Sequence, residues 1–194
     1  MKSLCVFCGS SAGRENGFVA AARDLGRLMA ERDITLVFGG GSIGIMGVLA
    51  DAVLAAKGRA IGVIPQMLWD KEVGHRGLTS MLVVETMHDR KARMAELSDA
   101  FAVLPGGLGT LEEFFEIWTW AQLGIHAKPF GVLNVDGFYD PLLNAVDSMA
   151  AHGFIRPEHR QMVQVADQPQ ALLDKLDTYV PAPATVKWAG TLKA

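Results

Sequence analysis

The sequence predicts an α/β fold, a single doubly wound, Rossmann-like domain built on a mainly parallel sheet. Three observations carry that reading. Short apolar runs alternate with stretches of helical periodicity along residues 1–180. The runs are continuously apolar rather than alternating, the mark of strands buried on both faces. Strands separated by helices require right-handed crossovers and therefore parallel neighbours. A chain of 194 residues suits one such domain, on a prior of ~150 residues each, and buries roughly 70% of its unfolded surface without staples.

Residues 4–8 are a short apolar run ending in Gly9-Ser10-Ser11, a strand feeding a loop. Phe18, Ala22, Leu25 and Met29 then recur at helical spacing, with Arg23, Arg27 and Glu31 on other faces. Residues 34–38 form a β-branched run cut by Gly39, Gly40 and Gly41, and 45–57 read as a second helix ended near Gly58. Residues 60–64 are a buried strand stopped by Pro65, 65–78 show no period and read as a loop, and 81–84 are a strand. A charged helix follows at 87–97. The strand at 101–104 ends in Pro105-Gly106-Gly107, and a helix is expected to start at Thr110 and run to 123. Strands at 130–134 and 162–165 and helices at 139–151 and 170–176 complete the pattern, and 181–194 are expected to be a mobile tail. Ligands in such sheets sit at the carboxyl ends of strands, beside a topological switch point. The glycine-rich ends at 9–11, 39–41 and 105–107 therefore mark the expected site.

Composition excludes several functions. Half the residues are hydrophobic and 20% are charged, unlike a disordered chain. Lys and Arg total 18 against 21 Asp and Glu, a net charge of −3, so neither a nucleic acid nor a membrane surface is an expected partner. The N-terminus reaches Gly9 too soon for a signal-peptide core, and the apolar stretch 34–50 is too rich in glycine to span a membrane. A cytoplasmic chain is expected. Cys5 and Cys8 form a C-x-x-C, but residues three apart on a strand face opposite sides, so core packing is expected over metal or redox chemistry. The five histidines show no ligand spacing, and neither metal nor cofactor is expected.

Four stretches could carry chemistry. Gly39-x-Gly41-x-x-Gly44 matches the dinucleotide fingerprint letter for letter. It follows the second strand, however, and the next strand ends in Pro65-Gln66 with no acid for a ribose hydroxyl. A tight turn, backbone approach to a nucleotide, or an NAD site would each need these glycines. In Pro105-Gly106-Gly107-Leu108-Gly109-Thr110-Leu111-Glu112-Glu113, the glycines let backbone approach a ligand, and the helix start offers amides and a dipole to a phosphate. No Gly-Lys-Ser/Thr follows, so triphosphate chemistry of the P-loop kind is not expected. Glu112 fits a helix dipole. Glu113 and Glu116 lie three apart with Thr119 on the same ridge, and a carboxylate beside a phosphate loop suits a cationic transition state or a water. Phe114, Phe115 and Trp118 belong to the core or to a subunit contact. Arg90 and Lys91 start a helix whose dipole they oppose, so they are either a solvated face or a clamp on a nucleotide. Glu72 and His75 fall in the loop after Pro65, where solvation is the default.

Together these stretches resemble the LOG (Lonely Guy) family of cytokinin-activating phosphoribohydrolases. The residues that carry the resemblance are Cys5-Val6-Phe7-Cys8-Gly9-Ser10-Ser11, Gly39-Gly40-Gly41-Ser42-Ile43-Gly44-Ile45-Met46-Gly47, Met87-His88-Asp89-Arg90-Lys91, the run from Pro105 to Glu113, and Trp120-Ala121-Gln122-Leu123-Gly124. Relatives of this kind are often labelled lysine decarboxylases. The resemblance implies hydrolysis of a purine nucleoside 5′-monophosphate at the N-glycosidic bond, giving free base and ribose 5-phosphate without metal or cofactor. It implies Arg90 and Glu113 as the catalytic pair. It implies nucleotide binding by Glu72, Arg90, Lys91, Gly107, Leu108, Gly109, Thr110, Leu111, Glu112, Glu113 and Thr119, and a homodimer with its sites near the interface. The alternative on the same fold is a non-catalytic nucleotide or molybdenum-cofactor carrier, which does not require Arg90 and Glu113 together.

Overall fold

The computed structural model describes residues 1–71 and 74–181. Seven strands form one sheet: β1 (Ser3–Phe7), β2 (Thr35–Phe38), β3 (Ala60–Pro65), β4 (Ser80–Val84), β5 (Ala100–Val103), β6 (Phe130–Leu133) and β7 (Val163–Ala166). Their order is β4-β3-β2-β1-β5-β6-β7, and every neighbouring pair is parallel. The order reverses between β1 and β5, so the switch point lies where those two strands end. The helices are α1 (Asn16–Glu31), α2 (Gly44–Ala55), α3 (Gln66–Trp69), α4 (Met87–Glu96), α5 (Leu108–Gln122), α6 (Asp140–Ala151), α7 (Pro157–Arg160) and α8 (Pro169–Asp177).

The two-residue repeat of the strands sorts the core into two layers. Leu4, Val6 and Cys8 join Leu36, Phe38, Ala102 and Leu104 against α1, α2 and α8. Cys5, Phe7, Val37, Phe101 and Val103 face the other way, against Phe114, Ile117 and Trp118 of α5 and Tyr139, Leu143 and Val146 of α6. The two cysteines thus lie on opposite faces, as their spacing predicted. Each fully buried Leu or Phe contributes roughly 1.5–3 kcal/mol, whereas an exposed pair such as Arg27–Glu31 contributes about 0–1. The layers, not the surface charges, hold the sheet.

Most predicted elements are present, with informative shifts. The expected loop at 65–78 contains α3, and α7 was not expected. Each is only four residues long, too short to show a period. Pro65 does not stop β3 but ends it in register with Val84 of the edge strand β4. The last strand spans Val163–Ala166, one residue later than the reading. The helix expected from Thr110 begins at Leu108, with Gly107 as its N-cap. Position 109 lies in the first turn, where no i−4 bond is required and glycine's weak helix preference costs little. Of the expected tail, 182–194 lie outside the described residues.

Two local devices tie the elements to the switch point. A capping box starts α4: Thr86 Oγ1 accepts from Asp89 N at 3.1 Å, and Asp89 Oδ2 accepts from Thr86 N at 3.1 Å. Asp89 thereby supplies the negative charge that Arg90 and Lys91 lack at this helix end. The buried Tyr139 hydroxyl donates to Leu104 O at 2.7 Å, directly before the Pro105-Gly106-Gly107 turn. Tyr139→Phe leaves that carbonyl without its side-chain donor, and a loss of about 1–3 kcal/mol is expected. Urea denaturation checks this, through a lower midpoint with an unchanged m-value.

Candidate active site

The three glycine-rich strand ends meet at the switch point through their backbones. Gly9 N donates to Pro105 O at 3.1 Å, and Gly9 O accepts from Ile45 N at 3.0 Å. Gly44 has φ +62°, and a Cβ there would overlap the Ser10 backbone. The turn after β2 therefore presses directly onto the turn after β1. The glycines at 40 and 44 also need the left-handed backbone, which settles the fingerprint at 39–44 as, at the least, a tight turn.

A cavity of about 460 Å³ opens beside this junction. Its floor carries Cys8, Gly39, Arg90 and Glu113, and one side is the first turn of α5 with Gly107, Leu108, Gly109, Thr110 and Glu112. The other wall is apolar, made of Ile43, Met46, Ile64, Leu68 and Met87. A smaller cavity of about 250 Å³ lies across the ridge of Gly9 and Gly107, lined by Phe18, Ile45 and Phe138 and by no charged side chain. The titratable groups are thus concentrated in the larger one.

Arg90 and Glu113 face each other on that floor, Nη2 to Oε1 at 3.5 Å, with side chains only 12% and 11% exposed. Burial pushes the Glu113 carboxyl up from 4.5 to about 7, against the opposing pull of Arg90. At neutral pH this acid can both hold and release a proton. Burial likewise pushes the Cys8 thiol well up, with Glu113 adding to the effect, so it stays protonated. Among the described residues, Arg90 Nε is buried with no hydrogen-bond partner, and Nη1 has only the Met87 sulfur at 3.8 Å.

The α5 N-terminus turns free amides toward the cavity. The amides of Leu108, Gly109 and Thr110 have no i−4 carbonyl to meet, whereas Leu111 N donates back to Gly107 O at 3.1 Å. A Cβ on Gly107 or Gly109 would meet nothing within 4 Å, and neither has positive φ. The fold therefore does not demand glycine at these two positions. The space they leave open lies beside the cavity and the free amides.

The remaining candidate residues separate. Lys91 turns away from the cavity lining. Its Nζ donates to Glu112 Oε1 at 2.5 Å and Glu116 Oε1 at 3.0 Å, and these carboxylates outweigh burial and raise its pKa. Thr119 is exposed, its hydroxyl donating to Phe115 O at 2.7 Å, and Leu111 lies outside the lining. Glu72 lies outside the described residues. Phe114 and Trp118 are core, while Phe115 is 39% exposed and stacks on Trp118. The sequence reading missed the apolar wall, because Ile43 and Met87 look like core residues until the fold leaves them 50% and 40% exposed. Among the described residues no group of three or more His, Cys, Asp or Glu could hold a metal ion, and no helix is long and apolar enough to cross a membrane.

Residues 46–176 match the family model described as "Possible lysine decarboxylase". The probable cytokinin riboside 5′-monophosphate phosphoribohydrolase LOGL9 of Oryza sativa subsp. japonica is 52% identical over 180 residues, which is 93% of this chain and 79% of that protein. The cytokinin riboside 5′-monophosphate phosphoribohydrolase LOG of the same plant is 49% identical over 93% of this chain and 74% of its own. Among solved structures, the molybdenum cofactor binding protein of Rippkaea orientalis superposes with a TM-score of 0.70 at 21% identity, over 92% of this chain and 97% of that one. At that identity the likeness speaks for the fold alone.

The raised Glu113 pKa also sets a stability profile. The carboxyl holds its proton more tightly folded than unfolded. Its contribution is therefore full below about pH 4.5 and is lost as pH rises to about 7. Across that window, wild-type stability is expected to fall relative to Glu113→Gln by on the order of 3 kcal/mol. Denaturation midpoints of both proteins at pH 4.5 to 8 check it; parallel profiles would place the Glu113 pKa near its ordinary value.

Proposed function

This chain belongs to the LOG family of cytokinin riboside 5′-monophosphate phosphoribohydrolases, and from that premise we propose that it hydrolyses the N-glycosidic bond of adenine nucleoside 5′-monophosphates. The observation that carries the reading is the buried Arg90–Glu113 pair beside a helix N-terminus built to receive a phosphate. A carrier needs the anion site but has no use for an acid of pKa near 7 on the cavity floor.

In this reading the 5′-phosphate sits on the amides of Leu108, Gly109 and Thr110, with the missing side chains of Gly107 and Gly109 admitting its oxygens. Glu113 lies three to five residues beyond these amides, ~4.5–7.5 Å down the axis of α5, which suits its carboxylate to the ribose rather than to the phosphate. As the bond from C1′ to the base breaks, positive charge builds on the sugar, and ionised Glu113 stabilises it or takes a proton from the incoming water. Arg90 keeps Glu113 charged when needed and orients the nucleotide. The wall of Ile43, Met46, Ile64, Leu68 and Met87 receives the base and is suited to an apolar N6-substituent. Lys91 serves by holding α4 to α5 through Glu112 and Glu116. Thr119 is ~13 Å along α5 from the first-turn amides, too far to meet a nucleotide in its own cavity. A homodimer that juxtaposes two copies of α5 would give it one. Free, buried Cys5 and Cys8 fit a reducing, cytoplasmic setting.

Incubation with AMP and with isopentenyl-AMP, each beside its nucleoside, tests the reading by chromatography of free base and ribose 5-phosphate. The monophosphates should be cleaved and the nucleosides should not; equal rates on adenosine and AMP would remove the phosphate role of α5. Glu113→Gln should lower kcat roughly 10²–10⁴-fold while calorimetric AMP binding is unchanged or tighter. The acid limb of the wild-type kcat/KM profile, expected near pH 7 from the Glu113 pKa, should vanish in that variant. Arg90→Ala should lose binding and rate together. Near-normal kcat in Glu113→Gln would return the carboxylate to the role of a dipole-satisfying residue.

A further inference from the structure

In the fingerprint stretch, Gly40 and the fingerprint glycine at 44 are explained by positive φ, but Gly39, the first fingerprint glycine, is not. Its backbone is open to any residue, yet a Cβ on Gly39 would overlap Arg90 Nη2 and lie 3.0 Å from Cζ and 3.5 Å from Nε. All three atoms belong to one guanidinium, and the distances increase from Nη2 to Nε, so that group sets its Nη2 end against the bare Cα just after β2. We propose that Gly39 is the seat of the Arg90 guanidinium, a positioning residue that sets where the cation stands opposite Glu113. This rests on the hydrolase reading above, and it assigns the first glycine of the fingerprint to an arginine rather than to a pyrophosphate.

The hydrogen-bond pattern around Arg90 is the reason a seat is needed. A buried arginine is ordinarily fixed by its fork of donors. Among the described residues Nε has no partner, Nη1 has only a thioether at 3.8 Å, and Nη2 meets Glu113 at 3.5 Å, beyond strong hydrogen-bond range. Directed bonds therefore do little to fix the plane of the group. Shape does it instead: the Nη2 end of the guanidinium is set between Gly39 and the Glu113 carboxylate, with the Met87 sulfur beside Nη1. An added methyl would lift the guanidinium into the cavity. Because the clashing atoms are the free end of a long side chain, the arginine can yield while the fold stays intact. The effect thus falls on function.

The test is a double-mutant cycle of Gly39→Ala and Arg90→Ala, read by turnover of the nucleoside monophosphate, by calorimetric AMP binding and by the Arg90 Nε–H resonance. Gly39→Ala should unfold near the wild-type temperature, shift the Arg90 resonance, and lower kcat/KM about 10²-fold, as a displacement on the order of 1 Å does. The loss should divide between kcat and KM as it does in Arg90→Ala. In the Arg90→Ala background the same substitution should change neither AMP binding nor turnover. A Gly39→Ala protein with wild-type kcat/KM overturns the seat, as does an equal penalty in both backgrounds, which would make Gly39 a direct contact of the nucleotide. Should Gly39→Ala not fold, folding of the double variant supports the seat, and failure of both overturns it. The resonance separates the two readings. If it shifts while wild type cleaves no monophosphate, the seat stands and the hydrolase reading falls.

Discussion

Two charged side chains share a floor too dry for either alone. Arg90 and Glu113 come from different helices, α4 and α5, and meet at 3.5 Å where the sheet reverses its strand order. Removing one partner would leave the other buried and unpaired, a loss of several kcal/mol in typical sites. The surrounding structure is arranged so that both must be present. The capping box at Thr86 starts α4 at the residue that aims Arg90 inward. The early start of α5 at Leu108 puts Glu113 about one turn below the free amides. The same dryness that makes the pair costly lifts the carboxyl into the range where a proton can be exchanged at neutral pH.

Adjacent residues on each helix perform separate tasks. Arg90 and Glu113 face the cavity, while Lys91, outside its lining, bridges the same two helices through Glu112 at the cavity's side and Glu116 beyond it. Successive positions on an α-helix point about 100° apart, so one pair of helices can carry a reactive face and a bracing face side by side. The Lys91 end of the bracing contact is enclosed, its side chain 8% exposed against 57% for Glu112 and 24% for Glu116, and the contact sets the spacing across which Arg90 and Glu113 meet. The two functions read as one motif in sequence because they share a stretch of chain.

Backbone contact does the rest. Three loops converge closely enough that Gly9 bonds to two of the others, and the turn at Gly44 lies against Ser10. The missing side chains have three distinct uses here. Gly44 needs a left-handed turn, Gly39 leaves room for a guanidinium, and Gly107 and Gly109 leave room that nothing among the described residues fills. Only the last use points directly at a ligand.

The amino-acid sequence by itself determined the layered α/β fold, since continuous apolar runs at 4–8, 34–38, 60–64 and 101–104 leave no exposed face for a sheet. It also determined which strand ends could bind, because glycine clusters at 9–11, 39–41 and 105–107 are costly unless backbone must turn or be approached. That Arg90 and Glu113 would share one site was legible through family resemblance and through the oddity of each charge at its helix end. Short α3 and α7 were not legible, because four residues carry no period. Nor could the chain show that Lys91 braces while Arg90 faces the cavity, that Ile43 and Met87 form an open wall, or that Gly39 lies beneath an arginine fifty-one positions later. Those depend on which face of a helix meets which neighbour across the switch point, and such distances are set only when the whole sheet has closed its order.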